Sequence, residues 1–197
     1  MSPPTGVPYD GPGPQAGDKV AVVGVAFDDS LNVRSGPGVA HEIVTTLPPT
    51  ATGIGVQGGA QLFPSSLWYE VDANSVIGWV NASYIALVGA TDDATSEVVA
   101  GHGSIPSGDT MLALGAIVAG SFIGEDTGSR VVVTVAPSVG SLGEITYDVL
   151  GLADDANLGF RLHIFGQQDQ SAGPFSLHSV ERTSLCWRGV TDDGFCI

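Results

Sequence analysis

The sequence contains few basic residues. Only six of its 197 residues are lysine or arginine, against 21 aspartates and glutamates, so the formal net charge is −15 at pH 7. A charge of this sign repels nucleic-acid phosphates and anionic membrane surfaces unless a basic patch offsets it. The composition therefore argues against nucleic-acid binding and against electrostatic docking to a membrane.

Long hydrophobic runs are also missing. The longest, MLALGAIVAGSFI at 111–123, is shorter than the roughly 20 residues that a membrane-spanning helix needs, and it contains two glycines. We expect core strands there and no membrane span. Residues 1–17 lack the basic start and apolar centre of a signal peptide, and their prolines and glycines are typical of a flexible leader.

Cysteine occurs only twice, as Cys186 and Cys196, with the turn signal DDG between them. A hairpin there would bring the two thiols together, so we expect a disulfide; two separate buried thiols are the alternative. Disulfides persist mainly outside the reducing cytosol, which favours an extracytoplasmic location. A zinc site is not expected, because none of the four histidines lies close in sequence to these cysteines.

Signatures of catalysis are absent from the sequence as well. It contains no G-x-S-x-G, no H-E-x-x-H, no P-loop and no S-x-x-K motif. Each isolated histidine is expected to be a surface or hydrogen-bonded residue without a chemical role. We therefore expect a protein that is not an enzyme.

What the sequence does contain is typical of β-structure. Its 28 glycines and 12 prolines are poor helix formers, and lysine, a common surface helix former, occurs once. Polar and apolar residues alternate in several short segments, as in half-buried strands. The expected fold class is all-β, and the length allows two small domains.

Residues 18–88 contain several short strands in close succession. LNVRSGPG at 31–38 begins as a strand and ends as a turn, and it is followed by LWYEV at 67–71, IGWV at 77–80 and ASYIAL at 82–87. In this order the segment resembles the bacterial SH3 domain family of exported cell-wall and envelope proteins. The resemblance implies a small SH3-like barrel that binds peptidoglycan or an envelope protein, either secreted or lipid-anchored, and it implies no reaction.

The aromatic residues of this segment are the candidate binding residues. Small barrels place one large ring in the core and leave others near loops, where they can line a ligand groove. The candidates for both positions are Trp68, Tyr69, Trp79 and Tyr84. Trp68 and Tyr69 are neighbours in a strand and face opposite ways, so one of these rings should be more exposed.

The resemblance also assigns roles in the turn of LNVRSGPG. It implies that Gly36 and Gly38 supply φ angles that other residues resist, and that Arg34 anchors the turn by donating to backbone carbonyls.

The second half of the chain is predicted to form a separate domain. Alanine, threonine and acidic residues at 89–97 interrupt the alternating pattern and predict a linker. From 98 to 197 we expect an antiparallel β-sandwich. Its strands are expected near 98–100, 111–119, 129–136, 143–151, 158–165 and 174–186. Alternation predicts a polar face with Arg130, Thr134, Arg161 and His163, opposite an apolar face with Val131, Val133, Leu162 and Ile164.

Two other functions stay open for this second domain. One is an enzyme or inhibitor that the SH3 domain targets, which a cleft formed by Arg161, His163 and a carboxylate would favour. The other is a structural or adhesion protein stabilised by calcium. Its expected ligands are Asp154, Asp155 and Asn157. Because aspartate also starts turns by accepting from its own backbone, these residues need no metal, and no cofactor is expected.

Overall fold

The computed structural model describes residues 6–123, 128–152, 154, 156–168 and 173–197. Within these ranges the chain is mainly β, with thirteen strands and two α-helices. The predicted fold class is thereby confirmed.

Eight strands form the first half of the chain. They are β1 Val7–Pro8, β2 Lys19–Val22, β3 Leu31–Arg34, β4 Ile43–Leu47, β5 Ile54–Phe63, β6 Ser66–Ala73, β7 Val76–Asn81 and β8 Ile85–Asp93, with a 3-10 turn at Ala82–Tyr84 before β8. The two-residue turn between β6 and β7 contains Asn74 and Ser75, both with positive φ (56° and 70°). Such a turn matches the twist of a hairpin, and Asp72 stabilises it by accepting from the Ser75 N–H at 2.6 Å.

The core of this half lies among strands β2–β8. It contains Val20, Val22, Leu31, Val33, Tyr69, Val71, Val80 and Ile85, together with smaller apolar residues. In β3 the alternation is visible directly, since Leu31 and Val33 are buried while Asn32 and Arg34 are half-buried. The pattern that predicted a small barrel is the one that fills this core.

The second half combines strands with helices. Its elements are α1 Thr95–His102, β9 Ser107–Gly108, α2 Met111–Gly120, β10 Arg130–Val139, β11 Gly143–Leu150, β12 Asn157–Gln168 and β13 Phe175–Cys186. The strands expected from 129 onward are confirmed, but the segments expected as strands near 98–100 and 111–119 are helical. The physical reason in 111–119 is the spacing of its buried residues, which follows a helix. These are Met111, Leu114, Gly115, Val118 and Ala119.

No second sheet covers β10–β13 in the described part of the chain. Instead α2 lies against β11 and β12, where Leu114 and Val118 share a core with Ile145, Leu162 and other strand residues. The β-sandwich expected for 98–197 is therefore corrected to one antiparallel sheet with helices on a face, because the apolar run of α2 supplies the covering layer.

The predicted alternation holds in β12 and fails in β10. In β12, Leu162 and Ile164 are fully buried while Arg161 and His163 are only half-buried. In β10, Thr134 is buried with 2% exposure and Val131 is exposed with 36%. A register shift between Val133 and Val135 interrupts the pairing with β11 at Thr134, and a bulge of this kind turns that residue to the other face.

The two halves share one sheet. Its strand order is β10-β11-β12-β13-β8-β2-β5-β6-β7-β3-β4, all neighbours being antiparallel, with β1 on β5 and β9 on β13. Residues 89–93, expected to belong to a linker, continue β8 and pair with β13, and 95–97 begin α1. Backbone groups that a linker would leave to water are paired here with the neighbouring strand.

Residues 6–17, expected to be part of a flexible leader, lie along β5. Val7 and Pro8 pair with Leu62 and Gln61. Farther along, the Gly17 N–H donates to the Val56 carbonyl at 2.9 Å. An extended proline-containing segment suits this position, because an edge strand tolerates proline where a central strand does not.

The predicted disulfide between Cys186 and Cys196 is present, with the two Cα atoms 5.1 Å apart. The expected turn lies between them, where the Gly194 N–H donates to the Thr191 carbonyl at 2.9 Å. Cys186 is fully buried against the core of the first half, so the bridge ties the C-terminal hairpin to the barrel. Among the described helices, neither has the length and hydropathy needed to cross a membrane.

Candidate functional site

The turn after β3 is closed by Arg34. Its Nη1 donates to the carbonyls of Val39 at 3.1 Å and His41 at 2.8 Å. Gly38 has a φ of +117°, a conformation that glycine adopts at little cost. Gly36 has no positive φ; a Cβ at this position would instead lie 2.6 Å from the His41 ring. Close approach of a side chain, and not an unusual φ, is the reason for glycine at 36.

An open groove of about 960 Å³ lies between this turn and the β5–β6 hairpin. We call it the aromatic groove, and its principal lining residues are Pro37, His41, Phe63, Pro64, Trp68 and Trp79. Trp68 is only 4% exposed, and its indole N–H donates to the Ser66 hydroxyl at 3.0 Å. Trp79 is half-buried, so of the two indole rings it presents more surface to a ligand.

A second cavity, of about 440 Å³, lies where the two halves meet. We call it the inter-half cleft; the first half contributes residues from 24–34 together with Tyr84, and β10 contributes Arg130 and Val132. The guanidinium carbon of Arg130 lies 5.4 Å from the centroid of the Tyr84 ring. This is a cation–π distance, and it fixes the arginine over the barrel.

The cleft and the aromatic groove adjoin each other. Val39, Trp68 and Asn81 line both of them. Trp68 is therefore part of a boundary that the two cavities share.

Three of the four predicted aromatic residues line these cavities and one does not. Trp68 and Trp79 line the groove, and Tyr84 lines the cleft. Tyr69 instead belongs to the barrel core with 3% exposure, and its phenol faces the segment that contains Tyr9. Burial, with a smaller contribution from Tyr9, raises the pKa of Tyr69 to about 12. The expectation that one of Trp68 and Tyr69 is more exposed is wrong, because both rings are almost fully buried.

Sequence reasoning missed Arg130 as a cavity residue. It predicted only that Arg130 belongs to a polar face of a separate domain, and Arg130 is 96 positions away from Arg34 in the chain. No local pattern in the sequence predicts that Arg130 and Arg34 line the same cleft, because this depends on how β10 is placed beside the barrel.

Arg161 and His163, considered as members of a catalytic cleft, have different surroundings. Arg161 forms a bidentate ion pair with Asp148 (2.8 and 2.9 Å) and donates to the Val22 carbonyl at 2.8 Å. The His163 ring lies between the carboxylates of Glu144 and Glu181, at 3.5 and 3.7 Å. Neither residue lines the groove or the cleft. The geometry gives Arg161 a structural role between the two halves.

The residues considered as calcium ligands are engaged in turns. One Asp154 oxygen accepts from the Ala156 and Asn157 N–H groups at 2.8 and 3.2 Å, and these bonds lower the pKa of Asp154. Asn157 accepts from the Gly159 N–H at 3.0 Å. Asp155 lies outside the described residues. Within the described ranges, no three or more His, Cys, Asp or Glu side chains are grouped so that they could hold a metal ion.

Comparison with known proteins identifies one part of the chain. Residues 29–86, which contain β3–β7 and the start of β8, match the family model of the bacterial SH3 domain. No match is found for the chain among curated proteins or among solved structures.

Proposed function

We propose that this chain, which contains a bacterial SH3 domain at residues 29–86, is a binding protein without enzymatic activity that recognises peptidoglycan through the aromatic groove. A domain of this family suggests a cell-wall or protein-binding role. The observation that carries the proposal of peptidoglycan recognition is the half-buried Trp79 ring beside Trp68 in an open groove. Flat apolar rings that keep a polar edge bind peptide and sugar surfaces well.

The charge of the protein makes binding dependent on specific contacts. A net charge of −15 repels an anionic wall, so non-specific electrostatic attraction does not contribute to capture. Direct contacts in the groove must supply the affinity, and they must exceed that repulsion.

An extracytoplasmic location at the cell envelope is part of the same proposal. It is supported by the disulfide between Cys186 and Cys196, a type of bond that persists mainly in oxidising compartments.

The test is co-sedimentation of the full chain with purified insoluble peptidoglycan, at low and at physiological salt. Trp79→Ala should reduce capture roughly tenfold or more, the scale of loss for a central aromatic contact. Phe195→Ala is the matched control, because it removes a ring that is 68% exposed and lies outside the groove. Urea denaturation followed by far-ultraviolet circular dichroism checks that both variants remain folded.

Trp68 is the less suitable position for this test. At 4% exposure its truncation would open a cavity and lower stability, which would confuse loss of binding with loss of folding. If the native chain does not sediment with the wall, recognition of peptidoglycan is rejected. If Trp79→Ala is captured as well as the native chain, the groove is not the binding site.

A further inference from the structure

The arginines of this protein differ in whether a carboxylate neutralises them. Arg161 is paired with Asp148, and Arg182 is paired with Asp92 and Glu97. The contacts of Arg34 and Arg130 are uncharged groups: backbone carbonyls for Arg34, and the Ser83 carbonyl and the Tyr84 ring for Arg130. Across the described ranges, neither of these two forms an ion pair.

Both of these arginines line the inter-half cleft. The third charged residue in its lining is Asp29, which is exposed and accepts from the Ser30 N–H at 2.7 Å. Two guanidinium groups against one carboxylate leave this cleft with a positive charge, in a protein whose net charge is −15. A positive cleft on such a molecule attracts a compact anionic group.

The guanidinium groups also keep donors for a ligand. The bonds of Arg34 to protein run through Nη1. The bond of Arg130 runs from Nη2 to the Ser83 carbonyl at a long 3.4 Å. The remaining N–H groups of a guanidinium form a planar fork that matches the two oxygens of a carboxylate.

From these observations we infer that the inter-half cleft binds a carboxylate of the wall peptide whose remaining length lies in the aromatic groove. Arg34 of the SH3 domain and Arg130 of the second half bind that carboxylate together. The inference rests on the proposed function, since it specifies which end of the ligand lies beyond Trp68. It also gives the second half of the chain a direct part in recognition.

The test compares capture of the protein by two wall preparations, for which a carboxylate site and long-range electrostatics predict opposite results. One is purified peptidoglycan freed of phosphate polymers, and the other is the same material with its carboxyl groups converted to amides by carbodiimide and ammonia. We expect capture of the native full chain to fall roughly tenfold on the amidated wall, the scale of a lost charged hydrogen bond. Long-range electrostatics predicts the reverse, because amidation removes repulsion between the wall and an acidic protein.

Two variants locate the effect in the cleft. Arg130→Gln removes the charge of an exposed side chain. Both wall preparations should capture this variant equally weakly. Lys19→Gln makes the same change of charge at an exposed barrel residue outside the cleft and the groove, and it should retain the preference for the untreated wall. Arg34 is left intact because it closes the turn.

The outcomes separate this inference from the proposed function. Equal capture of the native chain on both preparations overturns the carboxylate site and leaves wall recognition standing. Retention of the preference by Arg130→Gln overturns the part assigned to the second half. Failure to sediment with the untreated wall overturns wall recognition itself, together with the ligand assumed here.

Discussion

At the scale of single residues, Asp148 has the surroundings that depend most on the whole fold. Its side chain is fully buried on β11, where one oxygen accepts from Arg161 and the other from Arg161 and the Gly24 N–H. Arg161 in turn donates to the Val22 carbonyl. A buried carboxylate is tolerated only when such partners replace water. The ion pair itself lies within the second half, and backbone groups of Gly24 and Val22 in the first half complete its hydrogen bonds.

Asp148→Asn should lower the free energy of unfolding by about 3 kcal/mol, because it leaves a largely buried guanidinium without its counter-charge. Urea denaturation of the full chain measures this value. The control is Asp92→Asn, whose side chain is 51% exposed beside Arg182 and should cost at most about 1 kcal/mol. Equal losses in the two variants would contradict the structural importance of the Asp148 pair.

Tyr69 makes the free energy of unfolding depend on pH in the alkaline range. Its pKa is raised to about 12, first by burial and then by Tyr9, whereas a tyrosine in the unfolded chain ionises near 10. The folded state therefore binds this proton more tightly, and its contribution is fully present below pH 10 and lost as the pH rises towards 12.

We expect the free energy of unfolding to fall more steeply between pH 10 and 12 in the native chain than in Tyr69→Phe. Urea denaturation at several pH values measures both slopes. Tyr147, whose pKa burial also raises, is present in both proteins and provides the common background. Identical slopes would show that folding does not raise the pKa of Tyr69.

At the scale of elements, α2 shows why a continuous apolar run is ambiguous. The run at 111–123 has apolar residues on every side, so no period stands out, and the sequence favoured strands. The structure selects a helix because Thr110 caps its start, accepting from the Ala113 N–H at 3.1 Å, and because one side of it packs on β11. Exposed Leu112 and Ile117 concealed the amphipathic pattern.

Gly115 allows α2 to approach the sheet closely, and Gly115→Ala should therefore destabilise the protein by roughly 1–2 kcal/mol. An added Cβ would clash with the Tyr147 ring and lie 2.9 Å from Ile145 Cγ2. The cost of overpacking exceeds the roughly 1 kcal/mol that alanine gains over glycine in a helix.

Gly120→Ala in the same helix is the matched control, since an added Cβ there has no atom within 4 Å. It should leave the midpoint of thermal unfolding unchanged or raise it slightly. If Gly115→Ala were as stable as Gly120→Ala, the close contact between α2 and β11 would not exist in solution.

At the scale of the whole molecule, the two halves are parts of one structure. β8 pairs with β2 of the barrel and with β13 of the second half, so a single strand belongs to both. A core of Val23, Ala86, Leu150 and Leu185 lies at this join, and the disulfide closes beside it. The linker expected at 89–97 is thus replaced by shared hydrogen bonds and shared apolar contacts.

The full chain should accordingly unfold in one transition. Tryptophan fluorescence is a probe of the barrel, because Trp68 and Trp79 lie on its strands and Trp187 packs against its core. Both described helices belong to the second half, which makes helical circular dichroism a probe of that half. The two signals should give the same midpoint in urea, as expected for cooperative unfolding. Two separate midpoints would mean that the halves fold independently and merely touch.

Much of the barrel could be predicted because its signals are local. Alternation in β3, the glycine at 38 and the aromatic residues of β6 and β7 all act within a few positions of one another. The disulfide was predictable for the same reason, since a turn signal separates its two cysteines. The strands from β10 to β13 followed from their alternation, apart from the bulge in β10, which no local pattern announced.

By itself, the sequence determined the β-rich class, the bacterial SH3 domain, the disulfide and the acidic charge that disfavours nucleic acid and membrane surfaces. Only the tertiary structure decided that α2 covers the second half, that Tyr69 belongs to the core and that Arg130 meets Arg34 at one cleft. The reason is physical. Local preferences act between neighbours in the chain, whereas burial and the approach of distant charges depend on which surfaces the completed sheet brings together.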